Sequence, residues 1–295
     1  MQRVEAQIKR LIDECDYDEV TRLFSMLQGG KRLRAKLILK IASEHEDAPL
    51  LAAIVELIHA ASLLHDDVID DAMTRRGEAS VNATDGSKTA VMLGDILYSK
   101  AFTELVAFDK EVAQTIAASV TALSKGEMMD VKMAEHFNSD EKRYLDMLYL
   151  KTATLIEAAA KASALLAGKD AQKHALYGRN LGLSFQIIDD ILDITADEAT
   201  LGKPAMNDYV EGKCTLPYIY LYEKLDDKER QKLISLHAKN PTPEELEWMK
   251  AKMQEHKTIE KSFELAKQLS DEAKDVLKED EDLVNILDTM IKRSY

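Results

Sequence analysis

The chain has 295 residues, 46% hydrophobic and 31% charged, enough apolar content to bury a sizeable core. Its 53 acidic and 39 basic side chains leave a net charge of −14, which argues against nonspecific nucleic-acid binding, because such binding depends on neutralising phosphates. Cys15 and Cys214 form neither a disulfide framework nor a ligand pattern, no apolar run reaches the length of a membrane span, and the opening MQRVEAQIKRLIDE lacks a signal-peptide core and is too acidic for a transit peptide, so a cytoplasmic protein is expected.

Eleven Gly and five Pro are few for this length, and most segments repeat their apolar residues with the helical period, so the expected class is all-α. Helices are predicted over 2–14, 17–27, 31–44, 48–71, 87–107, 110–136, 140–168, 170–195, 209–223, 226–237, 243–256 and 258–293. Gly29-Gly30-Lys31-Arg32-Leu33-Arg34 puts three cations at a helix start, where backbone amides favour an anion. The helix over 48–71 is strongly apolar and ends in Asp66-Asp67-Val68-Ile69-Asp70. Asp85-Gly86 is a turn signal before the next periodic run. Gly168 closes the Ala-rich stretch 156–167 as a C-cap. The helix over 170–195 repeats the acidic motif as Asp189-Asp190-Ile191-Leu192-Asp193, and Gly202-Lys203-Pro204 to Gly212-Lys213 follows as a loop with two lysines. Thr242-Pro243-Glu244-Glu245 is a capping box with Pro at the first helical position. The Lys- and Glu-rich stretch 224–295 reads as a charged helical cap on one domain spanning 1–295.

Both acidic motifs have the form D-D-x-x-D. Residues four apart on a helix are rotated by about 40°, so Asp66 and Asp70 share a face, as do Asp189 and Asp193. Like charges at that spacing weaken a helix. Two such clusters beside apolar runs point to an offsetting cation, and Mg²⁺, a hard ion that takes one or two carboxylates plus substrate phosphates, suits them. Metals there would neutralise a diphosphate and make it a better leaving group. His59 lies seven residues before Asp66 on the same face, as a ligand or as a satisfied core histidine. Arg75-Arg76-Gly77 serves either as surface ion pairs or as bidentate phosphate binders.

In this order the residues resemble the trans-type polyprenyl diphosphate synthases: GGKRLR, IHAASLLHDDVIDDAMTRRG, GD at 94–95, GE at 126–127, KTATL at 151–155, GLSFQIIDDILD, GKP and EGKCTLP. The resemblance covers roughly residues 25 to 220. It implies an isoprenoid-synthase-type helical bundle around a deep central cavity, a homodimer, and isopentenyl diphosphate and an allylic prenyl diphosphate as substrates. By the same resemblance Lys31, Arg34, His59 and Arg76 bind isopentenyl diphosphate, and Arg75, Lys151, Lys203 and Lys213 bind the allylic diphosphate. Asp66 and Asp70, with Asp189 opposite, hold Mg²⁺, assisted by Asp67, Asp190 and Asp193. Thr152 and Gln186 offer oxygen dipoles to the allylic cation. Ala35, Asp130 and Met206 depart from the pattern the resemblance implies, in which Pro often follows the last Arg, many long-chain members have Gln, and Gly is common.

The implied reaction is head-to-tail prenyl transfer, and the growing chain is expected to run along the helix that carries Asp66. Ala61 and Ser62 are small, nothing interrupts D-D-V-I-D, and Gly182 on the second aspartate helix is expected to leave space, so a long-chain product is expected, octaprenyl first. Met128, Met129 and Met133 are candidates for a tunnel floor. The rivals are a geranylgeranyl or farnesyl diphosphate synthase, a non-catalytic subunit of a heteromeric synthase, a class I terpene cyclase and a cation-buffering helical protein. A long prenyl product makes transient membrane contact plausible.

Overall fold

The computed structural model describes residues 1–27, 30, 32–75, 77–196 and 206–292. They are helical apart from turns, loops and one short antiparallel pairing, Thr74 with Ala79 and Arg75 with Glu78. The all-α expectation holds. Two compact units form, residues 1–121 with 155–175, and residues 122–154 with 176–295. The stretch after residue 224 thus falls in the same unit as the second aspartate motif.

The first unit contains α1 (Gln2–Asp13), α2 (Asp18–Met26), α3 (Leu33–Ile41), α4 (Ala48–Ile69), β1 (Thr74–Arg75), β2 (Glu78–Ala79), α5 (Val81–Asp85), α6 (Ser87–Leu105) and the start of α7 (Lys110–Ala134). At its centre α4 packs against α6, α3 and α1. Pro49 starts the helix where no amide hydrogen is needed. Leu51, Ile54, Leu57 and Ile58 are sealed from solvent. The helix corrects one expectation: over 18 residues its mean hydropathy is 1.6, so by length and composition it could cross a membrane. Glu56, His59 and His65 interrupt the run in sequence, and the helix is apolar on several sides because other helices surround it. Buried Glu56 accepts from Arg32 Nη1 at 3.0 Å and from the Ala35 N–H at 3.1 Å, and so fixes where α3 begins.

The second unit contains the end of α7, α8 (Glu141–Leu148), a π-helical turn (Tyr149–Ala153), most of α10 (Ala171–Thr195), α11 (Asn207–Val210), α12 (Leu216–Lys224), α13 (Asp227–Leu236), α14 (Pro243–Glu255), α15 (Thr258–Val276) and α16 (Glu281–Ile291). Between the π turn and α10 the chain forms α9 (Thr154–Leu166). Ile187, Ile188 and Ile191 of α10 share a core with Leu216 and Ile219 of α12, Met249 and Met253 of α14 and Ala266 of α15. The capping box at Thr242 is present, with Glu245 answering the cap, and Gly168 takes φ +64°.

Two predicted helices are broken. The run 258–293 stops at Leu277 and restarts when the Asp280 side chain accepts from the Leu283 N–H at 3.2 Å. The run 140–168 is interrupted by the π turn, which inserts an extra residue into the ladder. Glycines on two neighbouring helices allow it. A Cβ on Gly126 of α7 would lie 2.3 Å from Lys151 N, and one on Gly182 of α10 would lie 2.6 Å from Ala153 Cα. Gly182 therefore leaves no open space, contrary to expectation, because the backbone of the π turn fills it.

Candidate active site

In the first unit His59, Ser62 and Asp66 of α4 and Asp70 at its C-cap are all at least partly accessible, and their spacing puts them on one face. Ser62 Oγ donates to the His59 carbonyl at 2.9 Å. Ala61 is fully buried; at 100° per residue it points about 140° from Asp66. Arg34 lies half-buried in the first turn of α3. Asp67 is 2% exposed and accepts from Arg75 Nε at 2.8 Å and from Arg75 Nη2. Asn82 Nδ2 donates to the Asp67 carbonyl at 3.2 Å. Asp67 is thus the anchor of the segment that follows α4, and Arg75, expected on the allylic diphosphate, is held against it.

In the second unit the π turn presents Lys151 and Thr152 to a cavity of about 130 Å³ that Asp130, Gln186, Asp190 and Lys213 also line. Lys151 Nζ lies 2.6 Å from Asp130 Oδ2 and 2.9 Å from Glu127 Oε2. Burial works against its charge, but these two carboxylates outweigh burial and raise its pKa. Thr152 Oγ1 donates to Gln186 Oε1 at 3.2 Å, and Gln186 Nε2 donates to Asp190 Oδ1 at 2.9 Å. Tyr144 Oη donates to the other Asp190 oxygen. Burial, together with the charges of Asp208 and Asp189, pushes the Asp190 carboxyl well above the usual range, while the bonds from Tyr144 and Gln186 pull the other way. Asp193, 2% exposed, accepts the Asp208 N–H at 3.2 Å on a carboxylate oxygen and the Met206 N–H at 2.7 Å on its carbonyl. Met206 takes φ +62°, the left-handed conformation that glycine adopts most easily, which accounts for the glycine common in the family. Lys213 Nζ pairs with Glu211 at 2.7 Å.

The six aspartates are therefore sorted. Asp67, Asp190 and Asp193 are buried and held by named protein donors. Asp66 is half-buried, and Asp70 and Asp189 are exposed. These last three supply only hard carboxylate oxygens, the donor type that magnesium and calcium take. Among the described residues no three acids or histidines enclose an ion by themselves, so water and phosphate oxygens would complete its shell. Lys31, Arg76 and Lys203 lie outside the described residues. Of the methionines considered for a floor, Met128 is exposed, Met129 packs on the core of the second unit, and Met133 lines the cavity.

Sequence reasoning missed the partners of Lys151 and Tyr144. Glu127 and Asp130 stand three apart on α7, the spacing of one helix face, and that was the available signal. Nothing local marks Tyr144.

Residues 18–255 match the family described as polyprenyl synthetase. A short chain isoprenyl diphosphate synthase of Methanothermobacter thermautotrophicus is 40% identical over 220 residues, 70% of this chain and 68% of that protein. The crystal structure of octaprenyl pyrophosphate synthase from Helicobacter pylori is 42% identical with a TM-score of 0.92, covering 99% of this chain and 97% of that one. A polyprenyl synthase from Caulobacter crescentus, crystallised with calcium and isoprenyl diphosphate, is 29% identical with a TM-score of 0.89, covering 100% of this chain and 96% of that one.

Proposed function

Because the chain belongs to the polyprenyl synthetase family and is a prenyltransferase, we propose that it joins isopentenyl diphosphate head-to-tail to an allylic prenyl diphosphate, giving a long-chain all-trans product, octaprenyl first. The observation that carries this reading is the sorting of the aspartates by burial: Asp67, Asp190 and Asp193 are buried, whereas Asp66, Asp70 and Asp189 sit at accessible positions where their oxygens can reach cations.

Asp66, Asp70 and Asp189 would hold Mg²⁺, which when bound supplies positive charge that favours departure of the diphosphate. Lys151 and Lys213 bind the allylic diphosphate at the cavity. The allylic C–O bond breaks and its electron pair leaves with the diphosphate. The oxygens of Thr152 and Gln186 face the cation that forms, fixed dipoles that need no reorganisation during reaction. Arg34 and His59, with Lys31 and Arg76, hold isopentenyl diphosphate close enough for its double bond to attack. One C–C bond forms and one proton is lost to the departing diphosphate, leaving an allylic diphosphate one unit longer.

The long product is supported by small Ser62 on the face of Asp66 and by likeness to the Helicobacter octaprenyl enzyme across nearly the whole chain. A short-chain product is the second reading, favoured by the Methanothermobacter relative. The homodimer is supported by exposed apolar residues, Val91 and Phe102 on α6 and Val106 at its C-cap, the last 83% exposed. An apolar product makes transient contact with a bilayer as it leaves.

The test is incubation with labelled isopentenyl diphosphate, farnesyl diphosphate and Mg²⁺, followed by product chromatography. Growth to octaprenyl is expected. Growth that stops at geranylgeranyl gives the short-chain reading, and no growth identifies an inert subunit.

A further inference from the structure

Gln186 has two ends, and only one of them helps a cation. Its carbonyl oxygen carries partial negative charge and its amide nitrogen partial positive charge. An unrestrained amide would present either end to the cavity. Here the choice is made behind it. Asp190 Oδ1 accepts from Gln186 Nε2 at 2.9 Å, so the NH₂ end is committed to the carboxyl. A flipped amide would give up this bond from Nε2, at a site only 5% exposed where no solvent replaces it. The carbonyl is thereby turned toward Thr152, whose hydroxyl donates to it at 3.2 Å, and both residues line the cavity. Asp190 is in turn held at its other oxygen: Tyr144, 2% exposed, donates its phenolic hydrogen to Oδ2.

We propose that Tyr144 is a positioning residue for prenyl transfer: it clamps Asp190, which fixes the polarity of the Gln186 amide and keeps a carbonyl oxygen facing the allylic cation. Tyr144 also borders the cavity, but its hydroxyl is committed to Asp190. It acts through Asp190 and Gln186, and Asp190 acts as an acceptor for the protein's own donors. The inference rests on the reading of Gln186 as a cation-facing dipole in a prenyltransferase.

The experiment measures single-turnover elongation of farnesyl diphosphate by the full chain with Mg²⁺, and the Michaelis constants of both substrates. The variants are Tyr144→Phe, Asp190→Asn, and Asp190→Asn combined with Gln186→Glu. Tyr144→Phe and Asp190→Asn are each expected to slow the chemical step by roughly tenfold to a hundredfold, as loss of one buried hydrogen bond that sets the orientation of a dipole allows. The Michaelis constant for isopentenyl diphosphate should stay within about twofold, since ground-state binding is untouched. The exchange of Asp190→Asn with Gln186→Glu swaps acid and amide. The new amide can donate backward to the new carboxyl, whose other oxygen faces Thr152. It should recover at least about tenfold of the rate lost in Asp190→Asn, a rescue that a merely structural role does not predict. If Tyr144→Phe fails to fold, Asp190→Asn and its exchange partner decide the matter, being isosteric with the native pair. Single variants that elongate at the native rate, or an exchange no faster than Asp190→Asn alone, overturn the proposal while native activity leaves the functional reading standing. An inert native protein overturns both.

Discussion

Lys151 Nζ lies 2.6 Å from Asp130, and Glu127 reaches the same ammonium at 2.9 Å. The lysine that would bind the allylic diphosphate is therefore held between two carboxylates before any ligand arrives. Its direction is fixed, and part of its charge is already answered.

Asp130→Asn should raise net positive charge at the cavity and lower the Michaelis constant for the allylic diphosphate about threefold to tenfold, on the scale of one partly screened charge pair. Turnover should fall by a similar factor because Lys151 loses half of its support. The constant for isopentenyl diphosphate should not move. Steady-state kinetics with each substrate varied in turn checks this, and equal shifts in both constants would contradict the division of the sites.

The same pair sets a pH dependence. Burial lowers the pKa of Lys151, whereas Asp130 and Glu127 together raise it. A raised lysine pKa contributes stability that is present below the unfolded value of about 10.4 and is lost only as pH rises through the higher folded value. The native protein should thus show no alkaline loss of allylic binding from Lys151 between pH 7 and pH 9. With Glu127→Gln and Asp130→Asn together, burial is unopposed and the pKa falls below its free value. Affinity for the allylic diphosphate should then drop as pH rises across that window. A flat profile in the double variant would show that the carboxylates do not maintain the charge.

Gly182 packs on Ala153 of the π turn, and alanine at this position is expected to be harmful. In an unhindered helix Gly→Ala stabilises by about 1 kcal/mol. Here the added Cβ would come within 2.6 Å of Ala153 Cα, a backbone atom that cannot step aside cheaply. Overpacking costs typically about 1–3 kcal/mol, so the clash outweighs the propensity gain. Gly182→Ala should lower the thermal midpoint by several degrees and reduce turnover by displacing Thr152. A midpoint at or above the native one, with full activity, would show that the π turn moves freely.

Much of this was legible in the sequence because it is periodic or local. The apolar period of α4, both D-D-x-x-D motifs, the Thr242 capping box and the Gly168 terminus all declare themselves within a few residues. What was not legible is non-local. The π turn at Tyr149–Ala153 exists because Gly126 and Gly182, far apart in sequence, both meet it. The ion pair was one of the two roles open to Arg75, but its partner, buried Asp67, is not marked in the sequence. The break at Leu277 is a cap by Asp280 inside an unbroken helical period.

Product length gives a further expectation. Ser62 shares the accessible face of Asp66, whereas Ala61 is sealed in the core. Ser62→Phe should shorten the dominant product with little change in stability. Ala61→Tyr should shorten it too, but at a cost of about 1–3 kcal/mol, since a ring has no room there. Product chromatography and thermal unfolding read the two effects separately. Unchanged products from both variants would place the growing chain away from this part of α4.

The central claim is that Asp66, Asp70 and Asp189 hold cations while Asp67, Asp190 and Asp193 hold the protein. Its most direct measurement is the magnesium dependence of elongation in Asp66→Asn, Asp189→Asn, Asp67→Asn and Asp193→Asn. We expect the first two to raise the half-saturating magnesium concentration by about tenfold or more, the equivalent of one lost charge-assisted contact, with unfolding unchanged. The last two should lower thermal stability and leave the magnesium midpoint where it was. If Asp66→Asn and Asp189→Asn keep the native magnesium midpoint while Asp67→Asn and Asp193→Asn shift it, the assignment is reversed and the account fails.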